Sequence, residues 1–219
     1  LLLAGSGLSL MLVLGLALAL AAVRHPEGWA DRLITVLSLG LYGVPSFWLA
    51  GILILVFSLS LGWFPASHMY SVDAGNLQGF SRIADLLHHL FLPAVCLGLV
   101  GAAGTARYLR ATLLDVRFSR YILAARARGI PRWRLLLVHS LRPALLPVVT
   151  LLGLSLPVLV AGSVVIETVF SWPGMGQLMV EAASAHDYPV AQATFLLLAA
   201  LVIVLNLISD ISYCYLDPR

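Results

Sequence analysis

The chain has 219 residues, of which 61% are hydrophobic and 11% are charged, and its formal net charge is +3. Soluble domains carry about 25% charged residues, so this composition excludes a water-soluble globular protein and predicts one that lies in lipid. All thirteen basic residues are arginine. The lack of lysine excludes P-loop nucleotide hydrolysis and Schiff-base catalysis, since both need a lysine amine.

Five apolar stretches are long enough to cross a bilayer core of about 30 Å as helices of about 20 residues. In chain order they are Leu1–Val23, Ile34–Phe64, Leu90–Ala106, Ala144–Ile166 and Tyr188–Ile211. Inside lipid each should be helical, because no water is available to bond its backbone amides and carbonyls. The second stretch is too long for one straight crossing. Pro45 predicts either a kink there or an interfacial turn before the span.

The distribution of arginine predicts the orientation of these spans. If the second stretch crosses once, twelve of the thirteen arginines fall on one side, in residues 24–32, residues 107–142 and the C-terminus. The loops on the other side, Pro65–His89 and Glu167–Asp187, hold only Arg82. The positive-inside rule therefore places the Arg-rich loop and the C-terminus in the cytoplasm.

The pattern predicts no catalytic, cofactor-binding or metal-binding residues. Cys96, Cys214 and the six histidines lack the spacing of metal ligands, and the favoured interpretation of His88-His89 is a solvated interfacial pair. No ionisable residue lies near the centre of a span and no internal repeat is found. Both absences disfavour a secondary transporter or channel, which stays as the alternative of another class. An intramembrane protease or a non-transporting scaffold is less favoured still.

The informative segment lies between the third and fourth spans, in the loop of residues 107–142. Its Ala- and Arg-rich run from Tyr121 favours a short helix. Gly129 suits the left-handed residue that ends a helix, and Pro131 suits the first position of the next one. Small residues could seat this helix in a partner's groove, with arginines at the rim. Binding to anionic lipid explains the same pattern equally well.

This segment resembles the "EAA" coupling loop of ABC importer permeases, in which Ala-Ala-x-x-x-Gly forms the helix that docks on the ATPase. In particular it is similar to the dipeptide/oligopeptide/nickel permease family. Further family-like stretches follow in the same order along nearly the whole chain. They include Pro45-Ser46-Phe47-Trp48-Leu49, Gly62-Trp63-Phe64-Pro65-Ala66, Leu92-Pro93-Ala94, Ala106-Arg107-Tyr108-Leu109-Arg110, His139–Pro147, Glu167–Gly176, Asp187-Tyr188-Pro189-Val190 and Leu216-Asp217-Pro218-Arg219.

The resemblance implies an all-α integral membrane protein, a polytopic helical bundle of the type I ABC importer permease kind. Residues 1–219 would form one permease domain with five of six expected spans. The start at Leu1, inside an apolar run and without Met, is expected to follow a missing first span. Leu123 stands at the acidic position of the general loop pattern, and Pro143 stands where this family usually has Asn. Both departures leave the detailed docking contacts open.

The implied function is that of the permease subunit of an ATP-driven, binding-protein-dependent importer in the bacterial inner membrane. Di- or oligopeptides are the first expected substrate, and nickel or another small solute is the alternative. The implied partners are a second homologous permease, two cytoplasmic ATPases that bind ATP and Mg²⁺, and an extracytoplasmic solute-binding protein; nucleic acid is not expected. The residues that the resemblance assigns to ATPase coupling are Tyr121, Ala124, Ala125, Arg126, Ala127, Arg128, Gly129, Pro131 and Trp133.

Three residues of the opposite face are candidates for the outer surface or the pathway. Glu167 could line the path or meet the binding protein, or it could cap a neighbouring helix or pair with another subunit. Trp172 begins Trp-Pro-Gly, which favours a rigid turn at the interface. Asp187 precedes the last span and suits its N-cap.

Overall fold

The computed structural model of the chain describes residues 1–117, 119–141, 143–145, 148 and 163–216, and these form helices and turns without a β-strand. The α-helices are α1 (Leu2–Arg24), α2 (Trp29–Gly43), α3 (Ser46–Leu53), α4 (Phe80–Arg117), α5 (Arg120–Ala127), α6 (Arg132–Arg134), α7 (residues 163–169), α8 (Met175–Ser184) and α9 (Tyr188–Leu216). A π-helical segment Ile54–Ser60 continues α3, another, Leu135–Ser140, continues α6, and Val72–Asn76 is a 3₁₀ turn.

Within the described residues, three helices are long and apolar enough to cross a membrane: α1, α4 and the part Tyr188–Ile208 of α9. A fourth crossing would consist of α2 and Ser46–Ser60 together, which meet at an angle of 107°. Pro45 lies at this break, where the sequence predicts a kink or a turn. Most of the predicted stretch Ala144–Ile166 lies outside the described residues, so the count of five spans stays a prediction.

The longest helix, α4, extends well beyond the span predicted at Leu90–Ala106. Residues 80–89 and 107–117, expected in loops on the two sides, are helical and belong to it. Polar and charged side chains alternate with apolar ones in both extensions, so an apolar-run criterion does not detect them. The helix therefore connects both ends of the bundle.

The helices α1 and α4 pack side by side and run parallel. Gly7 of α1 lies against Leu97, and Gly15 lies against Thr105, where an added Cβ atom would come within 2.9 and 2.8 Å of the neighbouring Cβ atoms. These two glycines allow the close approach of the helices, as small residues usually do between helices in lipid. The small face of α4, which could have lined a cavity, is used at Gly101 for packing against Met11.

The bent pair α2–α3 contacts α4 from one end to the other, in the reverse order of the sequence. Asp31, in the first turn of α2, pairs with Arg110 near the end of α4. Beyond α3, the carbonyl of Trp63 accepts a hydrogen bond of 2.7 Å from Nε2 of His88, near the start of α4. These contacts agree with a single, broken crossing.

Two apolar clusters form the core, one at each end of the bundle. We call the end that contains residues 24–32 and 107–141 the Arg-rich end, and the end that contains residues 61–90 and 163–191 the opposite end. The buried residues of the cluster toward the Arg-rich end are Ala19, Val23, Leu109, Leu113, Ala144 and Val148. Those of the larger cluster include Leu3, Leu49, Leu53, Leu92, Leu97, Ile166, Phe170 and Trp172.

Candidate functional site

Residues 120–134 form a helix–turn–helix at the Arg-rich end, which we call the docking hairpin after the role that the sequence predicts for it. Its first helix, α5, ends in a Schellman motif: the amide of Ile130 donates to the carbonyl of Ala125 (3.4 Å) and the amide of Gly129 to that of Arg126 (3.0 Å). Gly129 has φ = +76°, and an added Cβ would meet nothing within 4 Å. The position therefore favours glycine because of its backbone conformation and not because of limited space.

The second helix of the docking hairpin begins directly after the turn. The carbonyl of Pro131 accepts hydrogen bonds of 3.0 Å from the amides of Arg134 and Leu135. Pro131 thus lies one residue before α6, where a backbone amide would have no acceptor within the helix, so the missing N–H costs no hydrogen bond. Gly129 is thus the left-handed residue that the sequence predicts, whereas Pro131 lies one residue before the first helical position predicted for it.

A few inward-facing side chains hold the docking hairpin on the bundle. Ile122 and Ala125 of α5 are buried, and so is Leu135, which follows α6. α5 lies against the end of α4 and against Leu135–Ser140. Ala125, one of the residues predicted to couple to the ATPase, therefore faces into the chain and supports the hairpin from behind.

The outward face combines apolar side chains with arginines. Tyr121, Leu123 and Trp133 are 47%, 50% and 63% exposed. Tyr, Trp and Arg are the side chains most enriched at the energetic centres of protein interfaces. The other predicted coupling residues that are exposed on this face are Ala124, Arg126, Ala127, Arg128, Gly129 and Pro131.

The arginines of this face have no acidic partner in the described part of the chain. Four arginines of this face are exposed: Arg120, Arg126, Arg128 and Arg134. In the ion pairs found among the described residues, the basic partners are Arg110 and His89. Four guanidinium groups beside an exposed Tyr and Trp form a surface suited to a partner that carries carboxylates at its rim.

At the opposite end, Glu167 is a buried helix cap. Its Oε2 atom accepts hydrogen bonds from the amides of Gly176 (2.8 Å) and Gln177 (3.3 Å), at the start of α8, where a negative charge is favoured. An added Cβ on Gly174 would lie 2.3 Å from Cδ of Glu167, and one on Gly176 would lie 2.5 Å from Cα of Val164. The chain closes tightly around this carboxylate.

The other two candidates of that end also have partners within the chain. Trp172 is buried in the larger apolar cluster, and its amide donates a 2.8 Å hydrogen bond to the carbonyl of Glu167. Oδ1 of Asp187 accepts from the amide of Val190 (3.3 Å), which is the geometry of an N-cap on α9. Of these three residues only Asp187 is exposed.

The histidine pair at this end binds backbone carbonyls. Nε2 of His88 donates to the carbonyl of Trp63 (2.7 Å), and Nδ1 of His89 donates to that of Asp85 (2.9 Å). Among the described residues, no group of three or more His, Cys, Asp or Glu side chains is placed to hold a metal ion.

Sequence reasoning missed the polar contact between Asp31 and Arg110. Nε and Nη2 of Arg110 donate to the two carboxylate oxygens of Asp31 at 2.5 and 2.7 Å, and the amide of Glu27 donates to Oδ2 at 2.8 Å. The carboxylate is buried, at 2% exposure. The sequence signal for this pair was Asp31 itself, an acid in the first turn of an amphipathic helix within an Arg-rich region. Its partner Arg110 could not be identified, because it is 79 positions away in the sequence.

Comparison with known proteins identifies the family. The family described as "Binding-protein-dependent transport system inner membrane component" matches residues 11–219. The chain belongs to this family. It is 43% identical over 210 residues to the oligopeptide transport system permease protein AppB of Bacillus subtilis, covering 96% of this chain and 65% of that protein.

Two further members of the family show the same extent of similarity. The di/tripeptide transport system permease protein DppB of Pseudomonas aeruginosa is 42% identical, covering 93% of this chain and 64% of that protein. The glutathione transport system permease protein GsiC of Escherichia coli is 38% identical, covering 94% and 62%. The chain thus spans somewhat less than two thirds of the length of these relatives.

The fold is that of a known transporter structure. An inward-facing structure of the MetNI methionine ABC transporter superposes with a TM-score of 0.69 at 20% identity, covering 99% of this chain and 90% of that chain. At this identity the similarity concerns the fold. The all-helical architecture expected from the sequence is thereby confirmed.

Proposed function

We propose that this chain is the membrane-spanning permease subunit of an ATP-driven, binding-protein-dependent importer. The observation that carries the proposal is the docking hairpin: an exposed Arg-, Tyr- and Trp-bearing face on a helix that ends at Gly129 with φ = +76°, in a member of an inner-membrane transport family. In this proposal the Arg-rich end faces the cytoplasm, as the positive-inside rule favours.

The docking hairpin would sit in a cleft of a cytoplasmic ATPase subunit, with Tyr121, Leu123 and Trp133 in the groove and the arginines on acidic groups at its rim. Because α4 ends at Arg117 and α5 begins at Arg120, a movement of α5 displaces the end of α4 directly. Closure of two ATPases on ATP would swing the helices of this subunit and of a second permease from an inward- to an outward-facing arrangement. ATP and Mg²⁺ would bind to the ATPases.

Peptides are the substrate class that we propose. The relatives at about 40% identity are named for oligopeptides, di- and tripeptides, and glutathione, which is itself a tripeptide. A binding protein on the opposite end would deliver the peptide and supply most of the selectivity. Nickel is the competing substrate, so binding of Ni²⁺ has to be measured beside binding of peptides.

The proposal is tested by purifying the full-length gene product from its native membrane in mild detergent and identifying the co-purifying proteins by mass spectrometry. We expect P-loop ATPases, a second permease and a solute-binding protein. The recovered binding protein is then titrated with a di-, tri- and pentapeptide series and with Ni²⁺, and binding of peptides alone is the expected result.

The same purification is then repeated from cells in which Gly129 and Trp133 are both replaced by alanine, with the wild-type purification as the control. Loss of the ATPases with retention of the second permease would assign ATPase binding to the docking hairpin. If the wild-type protein is recovered without any ATPase and still transports in vesicles that lack ATP, the importer proposal is wrong and a self-sufficient transporter replaces it.

A further inference from the structure

The Asp31 carboxylate joins three segments at the Arg-rich end. It lies in the first turn of α2, binds the fork of Arg110 on α4 through both oxygens, and accepts the amide of Glu27 from the turn that follows α1. Asp31 is 2% exposed and Arg110 is 28% exposed. No other ion pair between two different helices is found among the described residues.

This contact has the properties of a rigid joint. A bidentate pair between a carboxylate and a guanidinium fixes orientation as well as distance, which a lysine at the same place could not do. Removing either partner would leave the other as an uncompensated, largely buried charge. The turn at Glu27 (φ = 65°) and Gly28 is otherwise held by short-range backbone bonds, so without the pair α2 would lose its main polar attachment to α4.

The position of the joint relates it to the docking hairpin. Arg110 lies two helical turns before the end of α4 at Arg117, and α5 begins three residues later. On the other side of the joint, α2 leads to the 107° break at Pro45 and then to α3. If α5 is displaced, it moves the end of α4, and the bond between Arg110 and Asp31 passes that movement on to α2.

We infer that Asp31 and Arg110 are positioning residues that transmit the movement of the docking hairpin to the bent α2–α3 pair, so that transport is coupled to ATP hydrolysis. This inference rests on the proposed function. Neither residue meets nucleotide or solute; both act by keeping α2 fixed to α4 while α5 is displaced. The break at Pro45 provides the place where such a displacement changes the direction of the helix pair.

The test uses the full-length permease assembled with its partner permease and ATPases in lipid nanodiscs or vesicles. Hydrogen exchange of α5 and of α2 is compared with and without a non-hydrolysable ATP analogue, and uptake is measured per ATP hydrolysed. In the wild-type assembly both helices should change their exchange on nucleotide binding. In Asp31→Asn the response of α5 should persist, that of α2 should disappear, and uptake per ATP should fall about tenfold, within the range usual for coupling between sites.

Two further variants keep the inference testable if Asp31→Asn folds poorly. Arg110→Lys keeps the charge and loses the fork, so its uptake per ATP should lie between wild type and Asp31→Asn. The double variant Asp31→Asn/Arg110→Gln should be no worse than Asp31→Asn, since residues that act as one unit are not additive. Arg32→Gln, at the exposed neighbour of Asp31, is the matched control and should behave as wild type.

The outcomes separate this inference from the proposed function. If α5 responds to nucleotide while Asp31→Asn keeps both the α2 response and the uptake per ATP of Arg32→Gln, the positioning role is wrong and the docking hairpin still stands. If α5 of the wild-type assembly shows no response to the ATPases or to nucleotide, the proposed docking itself is wrong.

Discussion

The two ends of this bundle treat their conspicuous residues in opposite ways. At the opposite end, Glu167, Trp172 and Asp187 all find partners inside the chain: two are helix caps and one is buried in the core. At the Arg-rich end, the docking hairpin exposes Tyr121, Trp133 and four arginines that have no ion-pair partner among the described residues.

Within one series of family-like motifs, structural residues have partners inside the chain and interactive residues do not. Both ends carry equally specific sequence patterns. Only at the Arg-rich end does the backbone use its glycine and proline to form the turn while the larger side chains stay exposed. We therefore expect changes at the opposite end to lower stability, and changes on the docking hairpin to lower partner binding at unchanged stability.

The largest effect is expected from Gly176→Ala, which tests the structural end. The new Cβ would come within 2.5 Å of the backbone Cα of Val164, which cannot move aside as a flexible side chain could, so the cost should reach about 3 kcal/mol. The midpoint of thermal unfolding in mild detergent should fall by several degrees. Gly5→Ala, where an added Cβ meets nothing within 4 Å, is the matched control, and equal midpoints for the two variants would contradict the tight closure around Glu167.

Trp133→Ala tests the interactive end. Removal of an exposed aromatic at the centre of an interface costs about 2 kcal/mol or more, so the affinity for the ATPase subunits should fall about thirtyfold at an unchanged unfolding midpoint. Trp29→Ala is the control, because Trp29 is also exposed and lies at the same end but outside the docking hairpin. An equal loss of affinity in both variants would mean that the arginine-rich surface as a whole, and not the hairpin, attracts the ATPase.

A smaller effect on the same binding is expected from Gly129→Ala. An L-residue with a Cβ at φ = +76° costs about 1 kcal/mol or more, which would lower affinity about fivefold if the turn is needed in this shape. Gly129→Asn should be close to wild type, since asparagine tolerates the left-handed conformation. The affinities are measured by titrating ATPase subunits onto the reconstituted permease. If Gly129→Asn binds the ATPase as weakly as Gly129→Ala, the position needs glycine for lack of space at the interface and not for its backbone conformation.

The smallest effect is expected from Asp187→Ala, which removes the N-cap of α9. The bond to the amide of Val190 is 3.3 Å long and exposed, so the loss should be about 0.5–1 kcal/mol. Hydrogen exchange at the first turn of α9 should become faster while uptake is unchanged, and Asp187→Ser should restore slow exchange. Reduced uptake without faster exchange would assign Asp187 to the pathway instead.

Local signals predicted much of this fold, and contacts between distant residues account for what they missed. Pro45 acts through its restricted backbone and Gly129 through its access to positive φ, so the break and the turn could be located from sequence. The length of α4 could not, because polar and charged side chains interrupt the apolar pattern in both of its ends. The inward orientation of Ala125 depends on the rotation of α5 against α4. The Asp31–Arg110 pair joins residues that no local pattern connects.

Site-specific photocrosslinking in the assembled full-length transporter would show whether the docking hairpin binds the ATPase. A photoreactive phenylalanine derivative replaces Trp133 in one sample and Phe195 in the other; both side chains are 63% exposed, but Phe195 lies on α9. We expect the probe at position 133 to crosslink to an ATPase subunit, and the probe at position 195 to give crosslinks to lipid or another permease only. Crosslinks from position 133 to lipid alone, in a transporter that still hydrolyses ATP, would show that the docking hairpin does not bind the ATPase.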